Sequence, residues 1–295
     1  MPRNKNRITI AQALEQGTEK LRQRNIESPA VVCELLLLHS LQIPRVELYL
    51  NLNRELKPSE LRKFDCFLQE RVKGKPAQYI THTASFYGLD LYVDENVLIP
   101  RPETEILVET VLKKLSASES PSVIIDWGTG SGNIAIAIAR NLNCRVYATD
   151  ISAGALEIAK KNVKRFKLAG KVKLFKGEGF KPLPKRLKGK VDAVVANPPY
   201  VRPGERKSLP VEVKDFEPAA ALFDKENGLY FTQEIISDSK DFLMPGGLIA
   251  LETALGLAEK VAVLLREDGN YAEIEVVKDL AGIERHVLAR KKASQ

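Results

Sequence analysis

The chain has 295 residues, of which 44% are hydrophobic, and carries a formal net charge of +7. That length favours one large domain together with a smaller one, and the hydrophobic fraction is sufficient for two cores. The longest leucine run, 35–38, is far short of the roughly 20 apolar residues that a membrane span requires, and no secretory signal is evident, so we expect a cytoplasmic protein without membrane contact.

Residues 1–80 are predicted to be helical. Thr9 and Gln12 have the spacing of a capping box, Ser28 precedes a proline that suits the first helical position, and another helix is expected to begin near 57–60. Apolar residues recur at three- and four-residue steps in two segments, at Val31, Leu35, Leu38 and Leu41 and again at Leu61, Phe64, Leu68 and Val72. The pattern indicates a small helical bundle, which is either a docking surface for a protein substrate or a lid needed only for stability.

Residues 81–100 are predicted to link this bundle to the next domain as a β-hairpin. From 86 to 99 apolar side chains alternate with polar ones, which is the period of a half-buried strand. Arg101 and Glu103 then begin a helix that we expect to run to Leu115, where they form either an ion pair at the helix start or part of the floor of a ligand site. Residues 116–121 are polar and predict a linker before the next strand.

A glycine-rich turn follows the first strand of the larger domain. Residues 122–126 read as a buried strand and 133–140 as a helix. Between them, glycines let the backbone approach a ligand, and the helix start offers unpaired N–H groups. A phosphate-loop NTPase is disfavoured because no Gly-Lys-Ser/Thr ending is present, and a nicotinamide cofactor stays open although Asn133 occupies the third glycine position. The turn therefore predicts a site for a nucleotide-like cofactor at Gly128, Thr129, Gly130, Ser131 and Gly132.

Two later segments extend this site. Asp150 ends the next predicted strand, roughly 20 residues past the glycines, where a carboxylate can accept hydrogen bonds from ribose hydroxyls. Asn197, Pro198, Pro199 and Tyr200 come directly after the apolar run 191–196. The asparagine side chain and the Pro198 carbonyl offer two acceptors for a planar NH2 group, and the tyrosine offers a flat face. The alternative is an ordinary Pro-Pro turn that closes a strand.

The remaining chain alternates strands with helices, which predicts a doubly wound α/β sheet. Helices are expected at 156–166, 230–243 and 257–265, and strands at 146–150, 172–175, 191–196 and 248–252. The segments 272–277 and 286–289 are predicted as two closing strands, which can pair in an antiparallel hairpin at one edge of the sheet.

Neither a metal site nor a disulfide is predicted, because the cysteines and histidines are scattered without ligand spacing. Cys33 and Cys66 are expected to be small core residues in helices. The remaining cysteine and the three histidines are Cys144, His39, His82 and His286.

Several motifs together are similar to those of the release-factor glutamine methyltransferase family (HemK/PrmC), which belongs to the class I S-adenosylmethionine-dependent methyltransferases. The resemblance covers nearly the whole chain, and its most specific part is the pairing of Ile-Pro-Arg-Pro-Glu-Thr-Glu at 99–105 with Asn-Pro-Pro-Tyr at 197–200. Further matching segments are 76–80, 86–88, 126–132, 216–218, 227–229 and 279–282.

The resemblance implies a seven-stranded methyltransferase sheet at 101–295, a helical substrate-recognition bundle at 1–80 and a hairpin linker at 81–100. It also implies the donor S-adenosylmethionine, and as substrate the glutamine of the Gly-Gly-Gln motif in class I peptide chain release factors. Neither nucleic acid nor a metal is required for this reaction.

The resemblance also implies roles for individual residues. Gly128 to Gly132 would line the methionine end of the donor, Asp150 would hold the ribose, and Gly179 would lie beside adenine. Many relatives carry a large apolar residue where this chain has Gly179. Asn197 would touch both donor and substrate. The substrate grip would consist of Asn197, Pro198, Pro199 and Tyr200, with catalytic roles for Asn197, Pro198 and Tyr200.

Two other functions stay open. An adenine-N6 nucleic-acid methyltransferase could use the same Asn-Pro-Pro-Tyr segment, although it would need to flip a base and normally carries a recognisable nucleic-acid module. A non-catalytic binding protein that kept the fold is the third hypothesis. The lysine-rich segment 160–176 is typical of a solvated face, and the alternative is contact with RNA or an acidic protein.

Overall fold

A computed structural model describes residues 8–116 and 122–293, so most of the predicted linker at 116–121 lies outside the described residues. The chain divides after His82 into two compact units, a helical one and a larger α/β one. In the part of the chain that the structure describes, no helix is both long enough and apolar enough to span a bilayer.

The first unit is a bundle of five helices in the described residues. Thr9 makes the predicted capping box, with its Oγ1 accepting from the Gln12 N–H at 3.2 Å. Ser28 is the N-cap of the second helix and Pro29 begins it, as predicted, but the Ser28 backbone is left-handed, with φ 47°, and its side chain makes no capping bond. The helices are α1 (Ile10–Arg22), α2 (Pro29–Leu41), α3 (Arg45–Leu50), α4 (Pro58–Val72) and α5 (Ala77–Thr81).

The predicted apolar stripe is correct for α4 but wrong for α2. In α4, Phe64 and Leu68 are buried. In α2 the buried side chains are Cys33, Leu36, Leu37 and Ser40, whereas Val31 is 66% exposed. The apolar residues of α2 lie on every side of the helix. Their spacing along the sequence therefore does not indicate which side is buried. Cys33 is buried as expected, but Cys66 is exposed.

The second unit begins with the hairpin of β1 (Ala84–Phe86) and β2 (Leu89–Leu91). Tyr87 and Gly88 both have positive φ, 48° and 70°, as a tight two-residue hairpin turn demands. The hairpin is therefore shorter than the predicted 86–99 and begins earlier. Its buried residues Phe86, Leu89 and Leu91 belong to the core of the larger unit.

A seven-stranded sheet forms the centre of the larger unit, in the order β5-β4-β3-β6-β7-β9-β8. All neighbouring strands are parallel except β9, which is antiparallel to both β7 and β8 and so confirms the predicted closing hairpin at the edge. The strands are β3 (Ser122–Trp127), β4 (Cys144–Asp150), β5 (Val172–Lys176), β6 (Val191–Ala196), β7 (Leu243–Glu252), β8 (Tyr271–Lys278) and β9 (Glu284–Lys291).

Helices cover both faces of the sheet, which is why the central strands are buried on both sides and read as continuous apolar runs. One core includes residues of α6 and α7 and the other includes residues of α11 and α12. The helices are α6 (Pro102–Leu115), α7 (Asn133–Asn141), α8 (Ala153–Arg165), α9 (Val211–Lys214), α10 (Ala219–Leu222), α11 (Tyr230–Phe242) and α12 (Ala258–Asp268), with short 3-10 turns at Lys185–Leu187 and Pro203–Ser208.

Candidate functional site

The carboxyl ends of three neighbouring parallel strands meet at one edge of the sheet. Trp127 at the end of β3 pairs with Thr149 of β4 on one side and with Ala196 of β6 on the other. The chain continues from β3 into α7 on one face, while β6 leads on to α11 on the opposite face. Open α/β sheets bind their ligands at such a switch point.

A cavity of about 360 Å³ lies at this edge, which is within the size range of small-molecule sites. The cavity brings together residues that the sequence predicted from four separate segments. Gly132, Pro198 and Tyr200 belong to the predicted set but do not border the cavity. The predicted residues that border it are Gly128, Thr129, Gly130, Ser131, Asp150, Gly179, Asn197 and Pro199.

The glycine turn leaves open space toward the cavity. Gly128 and Gly130 have φ of 71° and 54°, a region that favours glycine. A Cβ atom built on either residue would meet no atom within 4 Å. The turn is held to the neighbouring strand by the Thr129 N–H, which donates to the Thr149 carbonyl at 2.9 Å. A ligand can therefore approach the backbone of this turn closely.

Asp126, near the end of β3, fixes the glycine turn by hydrogen bonds. Its fully buried carboxylate accepts from the Thr129 hydroxyl at 2.6 Å and from the Ala135 N–H at 3.1 Å. Burial, the largest cause, raises the pKa of Asp126 to about 7, although both hydrogen bonds lower it. Asp126 does not border the cavity, so its position favours a structural role over proton transfer.

Asp150 connects two loops at the cavity border. One carboxylate oxygen accepts from the Gly130 N–H at 2.8 Å and the other accepts from the Ser152 N–H at 2.9 Å. Burial raises the pKa of Asp150, and bonds from backbone N–H groups oppose that shift. Each oxygen retains acceptor capacity, so the side chain can also bind a ligand hydroxyl.

Three predicted residues, Gly132, Tyr200 and Pro198, do not border the cavity. Gly132 caps α7 with φ 82°, and a Cβ there would come within 3.1 Å of Ile136 and 3.4 Å of Ala159, so this glycine lets α7 begin and pack against α8. Burial raises the pKa of Tyr200 to about 12. The Pro198 carbonyl accepts no hydrogen bond from the residues that the structure describes.

Asn197 is held by both hydrogens of its side-chain amide. Its Nδ2 donates to Glu252 Oε1 at 2.9 Å and to Thr104 Oγ1 at 3.1 Å. An ionised carboxylate can only accept hydrogen bonds, so the Glu252 contact determines which end of the amide is nitrogen. The Oδ1 atom of Asn197 is consequently left as an acceptor at the cavity border.

Sequence reasoning missed Glu252 and Thr104. Glu252 is only 2% exposed and ends β7, the strand beside β6, while Thr104 lies in the first turn of α6. Fully buried His286 places Nε2 at 3.8 Å from the second Glu252 oxygen, and neither of its ring nitrogens has a hydrogen-bond partner among the described residues. The sequence does contain one signal for Glu252, since it is an acidic residue that directly follows the apolar run 248–251.

Arg101 forms an ion pair, but its partner is Glu217 and lies 116 residues along the chain, not the neighbouring Glu103. One guanidinium nitrogen, Nη2, donates to both carboxylate oxygens of Glu217, at 2.8 and 2.7 Å. The Glu217 side chain is 1% exposed, and its burial raises the pKa of this carboxyl more than Arg101 lowers it. Since Arg101 also borders the cavity, the pair supports the cavity wall.

Within residues 8–116 and 122–293, no three His, Cys, Asp or Glu side chains are grouped in a way that could hold a metal ion.

Comparison with known families assigns both parts of the chain. Residues 12–81 match the PrmC N-terminal domain, and residues 102–223 match the methyltransferase small domain.

Full-length relatives give the same result. The chain is 38% identical over 291 residues to a release factor glutamine methyltransferase of Rhodopirellula baltica, covering 97% of each protein. It is 38% identical over 287 residues to a release factor glutamine methyltransferase of Moorella thermoacetica, covering 97% of this chain and 99% of that one.

Among solved structures, a methyltransferase from Pyrococcus furiosus superimposes with a TM-score of 0.52 at 20% identity, over 71% of this chain and 92% of the other. At that identity the likeness concerns the methyltransferase fold.

Proposed function

The chain belongs to the family of release factor glutamine methyltransferases, and we propose that its cavity transfers a methyl group from S-adenosylmethionine to the side-chain amide of the glutamine in the Gly-Gly-Gln motif of class I release factors. The observation that carries this proposal is the anchored amide of Asn197. With both N–H groups engaged, its Oδ1 is available to accept an N–H from an incoming carboxamide, and the Pro198 carbonyl next in the chain is a second acceptor.

The residues at the cavity fit the proposed donor. Gly128 and Gly130 leave room beside the backbone, and Asp150 offers carboxylate oxygens to ribose hydroxyls. The buried hydroxyls of Ser131 and Thr149 border the cavity and have no partner among the described residues. Such hydroxyls can bind the charged amino-acid end of the donor.

When bound, S-adenosylmethionine supplies a methyl group on a positively charged sulfur, which is a strong electrophile. An amide nitrogen is a poor nucleophile because its lone pair is delocalised into the carbonyl. The protein's task is therefore mainly to hold this nitrogen in line, which can contribute up to roughly 7–11 kcal/mol in favourable cases.

The acceptors provide more than alignment. Two oxygen atoms facing the two N–H bonds of the glutamine amide would stabilise the positive charge that grows on its nitrogen during transfer. The same oxygens select a primary amide, because a group without two N–H donors would leave them unpaired. Release of one N–H proton to water then gives the neutral N-methyl amide.

The test is transfer of label from S-adenosylmethionine to a purified class I release factor, with the modified residue located by mass spectrometry. We expect label on the glutamine of Gly-Gly-Gln and none on a factor in which that glutamine is alanine. Label on DNA or RNA, or donor binding without transfer to any substrate, would refute the proposal.

Asn141→Ala is a control variant for this methyl-transfer assay, because it removes an asparagine side chain that lies away from the cavity. The side chain of this asparagine donates to the Ala137 carbonyl within α7 and does not border the cavity. We expect this variant to retain transfer.

A further inference from the structure

Trp127 belongs to the core of the sheet and also borders the cavity. It is the last residue of β3 and only 8% of its surface is exposed. Its ring packs against Phe231 of α11, with ring centroids 5.8 Å apart and planes at 52°. Since Phe231 also borders the cavity, these two rings give part of the wall an aromatic surface.

The indole N–H of Trp127 has no acceptor among the described residues. A tryptophan N–H normally finds an acceptor or keeps contact with solvent. The same nitrogen would lie 3.2 Å from a Cβ atom built on Gly179, whose φ is 55°. The missing side chain at Gly179 therefore leaves the indole edge next to the cavity.

The neighbouring backbone places this wall near Asp150. The segment Gly177, Glu178 and Gly179 borders the cavity, and the Gly177 N–H donates to the Asp150 carbonyl at 3.0 Å. A nucleoside whose ribose is held by the Asp150 carboxylate would carry its base into the space beside this segment. That space is bordered by Trp127.

We infer that Trp127 is a donor-binding residue, which supplies the aromatic wall against which the purine of the donor packs. The inference rests on the proposed function, since it takes an adenine-bearing donor as the ligand. A flat indole suits a flat base, and loss of one such aromatic contact commonly weakens binding by roughly 5- to 150-fold.

Trp127 is the single tryptophan in the chain, so its fluorescence reports on this wall alone. The full-length protein is titrated with S-adenosylhomocysteine, which lacks the transferable methyl group, and binding is followed by tryptophan emission and by calorimetry. We expect a saturable change in emission with the same Kd as the calorimetric titration. Calorimetric binding without any change in emission would overturn the inference.

Two substitutions separate an aromatic wall from a merely large core residue. Trp127→Phe keeps a flat ring, and we expect its Kd for S-adenosylhomocysteine to stay within about threefold of the unmodified protein, whereas Trp127→Leu should weaken binding about tenfold or more. The assignment would be contradicted if the Trp127→Leu variant bound S-adenosylhomocysteine as tightly as the unmodified protein. It would also be contradicted if the Trp127→Phe variant bound it as weakly as the Trp127→Leu variant.

Phe242→Leu is the matched control. Phe242 is buried in the same core, where it stacks on Phe180 at 5.1 Å, but it does not border the cavity. This variant should lower the melting temperature without changing the Kd. If it weakened donor binding as much as Trp127→Leu does, the effect would be one of core packing and the inference would fall.

Gly179→Ala tests the contact between the two residues. The new methyl group would crowd the indole nitrogen at 3.2 Å, so donor binding should weaken more in the unmodified protein than in the Trp127→Leu background. Backbone strain from the positive φ is common to both backgrounds and cancels in the comparison. Equal effects in both would contradict a shared wall.

The outcomes also separate this inference from the proposed function. If the unmodified protein does not bind S-adenosylhomocysteine by calorimetry, both fail. If it binds and Trp127→Leu binds equally well, only the role of Trp127 fails.

Discussion

Replacing Glu252 by leucine should reduce methyl transfer without weakening donor binding. Glu252 accepts one of the two hydrogen bonds that orient the Asn197 amide, and it does not border the cavity. Without it, the Thr104 hydroxyl is the remaining partner of this amide. Because a hydroxyl can either donate or accept, the amide could then turn its nitrogen toward the substrate.

The expected loss follows from the lost bond. A hydrogen bond to a charged group contributes about 1.5–3 kcal/mol. At about 1.36 kcal/mol per tenfold change in rate, this corresponds to a decrease of roughly 10- to 150-fold in kcat/KM for the release factor. The contact with Thr104 still holds the Asn197 side chain in place, so we expect a value near the lower end.

The assay compares initial rates of methyl transfer with calorimetric binding of S-adenosylhomocysteine, and Glu252→Gln is the matched control. Glutamine retains an acceptor oxygen for Asn197, so we expect it to recover most of the activity. Neither substitution should lower the melting temperature strongly, because the second Glu252 oxygen is buried without a hydrogen bond from the described residues. The reasoning is refuted if the leucine variant turns over normally, or if glutamine is as damaging as leucine.

Three further predictions concern other parts of the site. Asn197→Ala should keep most of its affinity for S-adenosylhomocysteine by calorimetry and lose most turnover, and unchanged turnover would remove this residue from the mechanism. Folded Asp126, with its pKa raised from 3.8 to about 7, holds a proton that the unfolded chain releases. The free energy of unfolding should therefore fall as pH rises from about 4 to about 7, by up to about 1.4 kcal/mol per pH unit from this group, and chemical denaturation of Asp126→Asn should lack that part of the slope. Arg101→Ala leaves the Glu217 carboxylate buried and unpaired, so it should cost about 3 kcal/mol of stability by denaturant titration. Adding Glu217→Gln should recover much of that loss, and additive losses would argue against the pair.

Local sequence patterns predict the sheet well because burial leaves a clear signal. Val191, Val194 and Val195 are all buried between two helical layers, and strands of this kind read as apolar runs whatever surrounds them. Helix α2 is the opposite case, because its apolar residues occur on every side and only contacts with α1, α4 and α5 determine which side is buried. The Tyr87-Gly88 turn was missed because tyrosine rarely adopts the positive φ found here.

In the candidate site too, some residues can be predicted from the sequence and others cannot. The glycine turn and the segment at 197–200 are contiguous motifs, so their residues can be read directly from the sequence. Glu252 and Thr104 act on Asn197 from 55 and 93 residues away. Which side chains face each other across strands and helices depends on register and packing, and one sequence does not specify these. The same holds for Arg101, whose partner was expected nearby and lies in a distant segment.

The distance along the chain between Asn197 and its two partners has a consequence for biogenesis. The glycine turn and Asp150 come from adjacent β3 and β4, so this part of the cavity border is in place as soon as these strands pair. The acceptor is assembled only when α6 and β7 have both joined β6. During synthesis, the border formed by the glycine turn and Asp150 would thus take shape before the Asn197 acceptor, and selectivity for an amide would be the last property to be acquired.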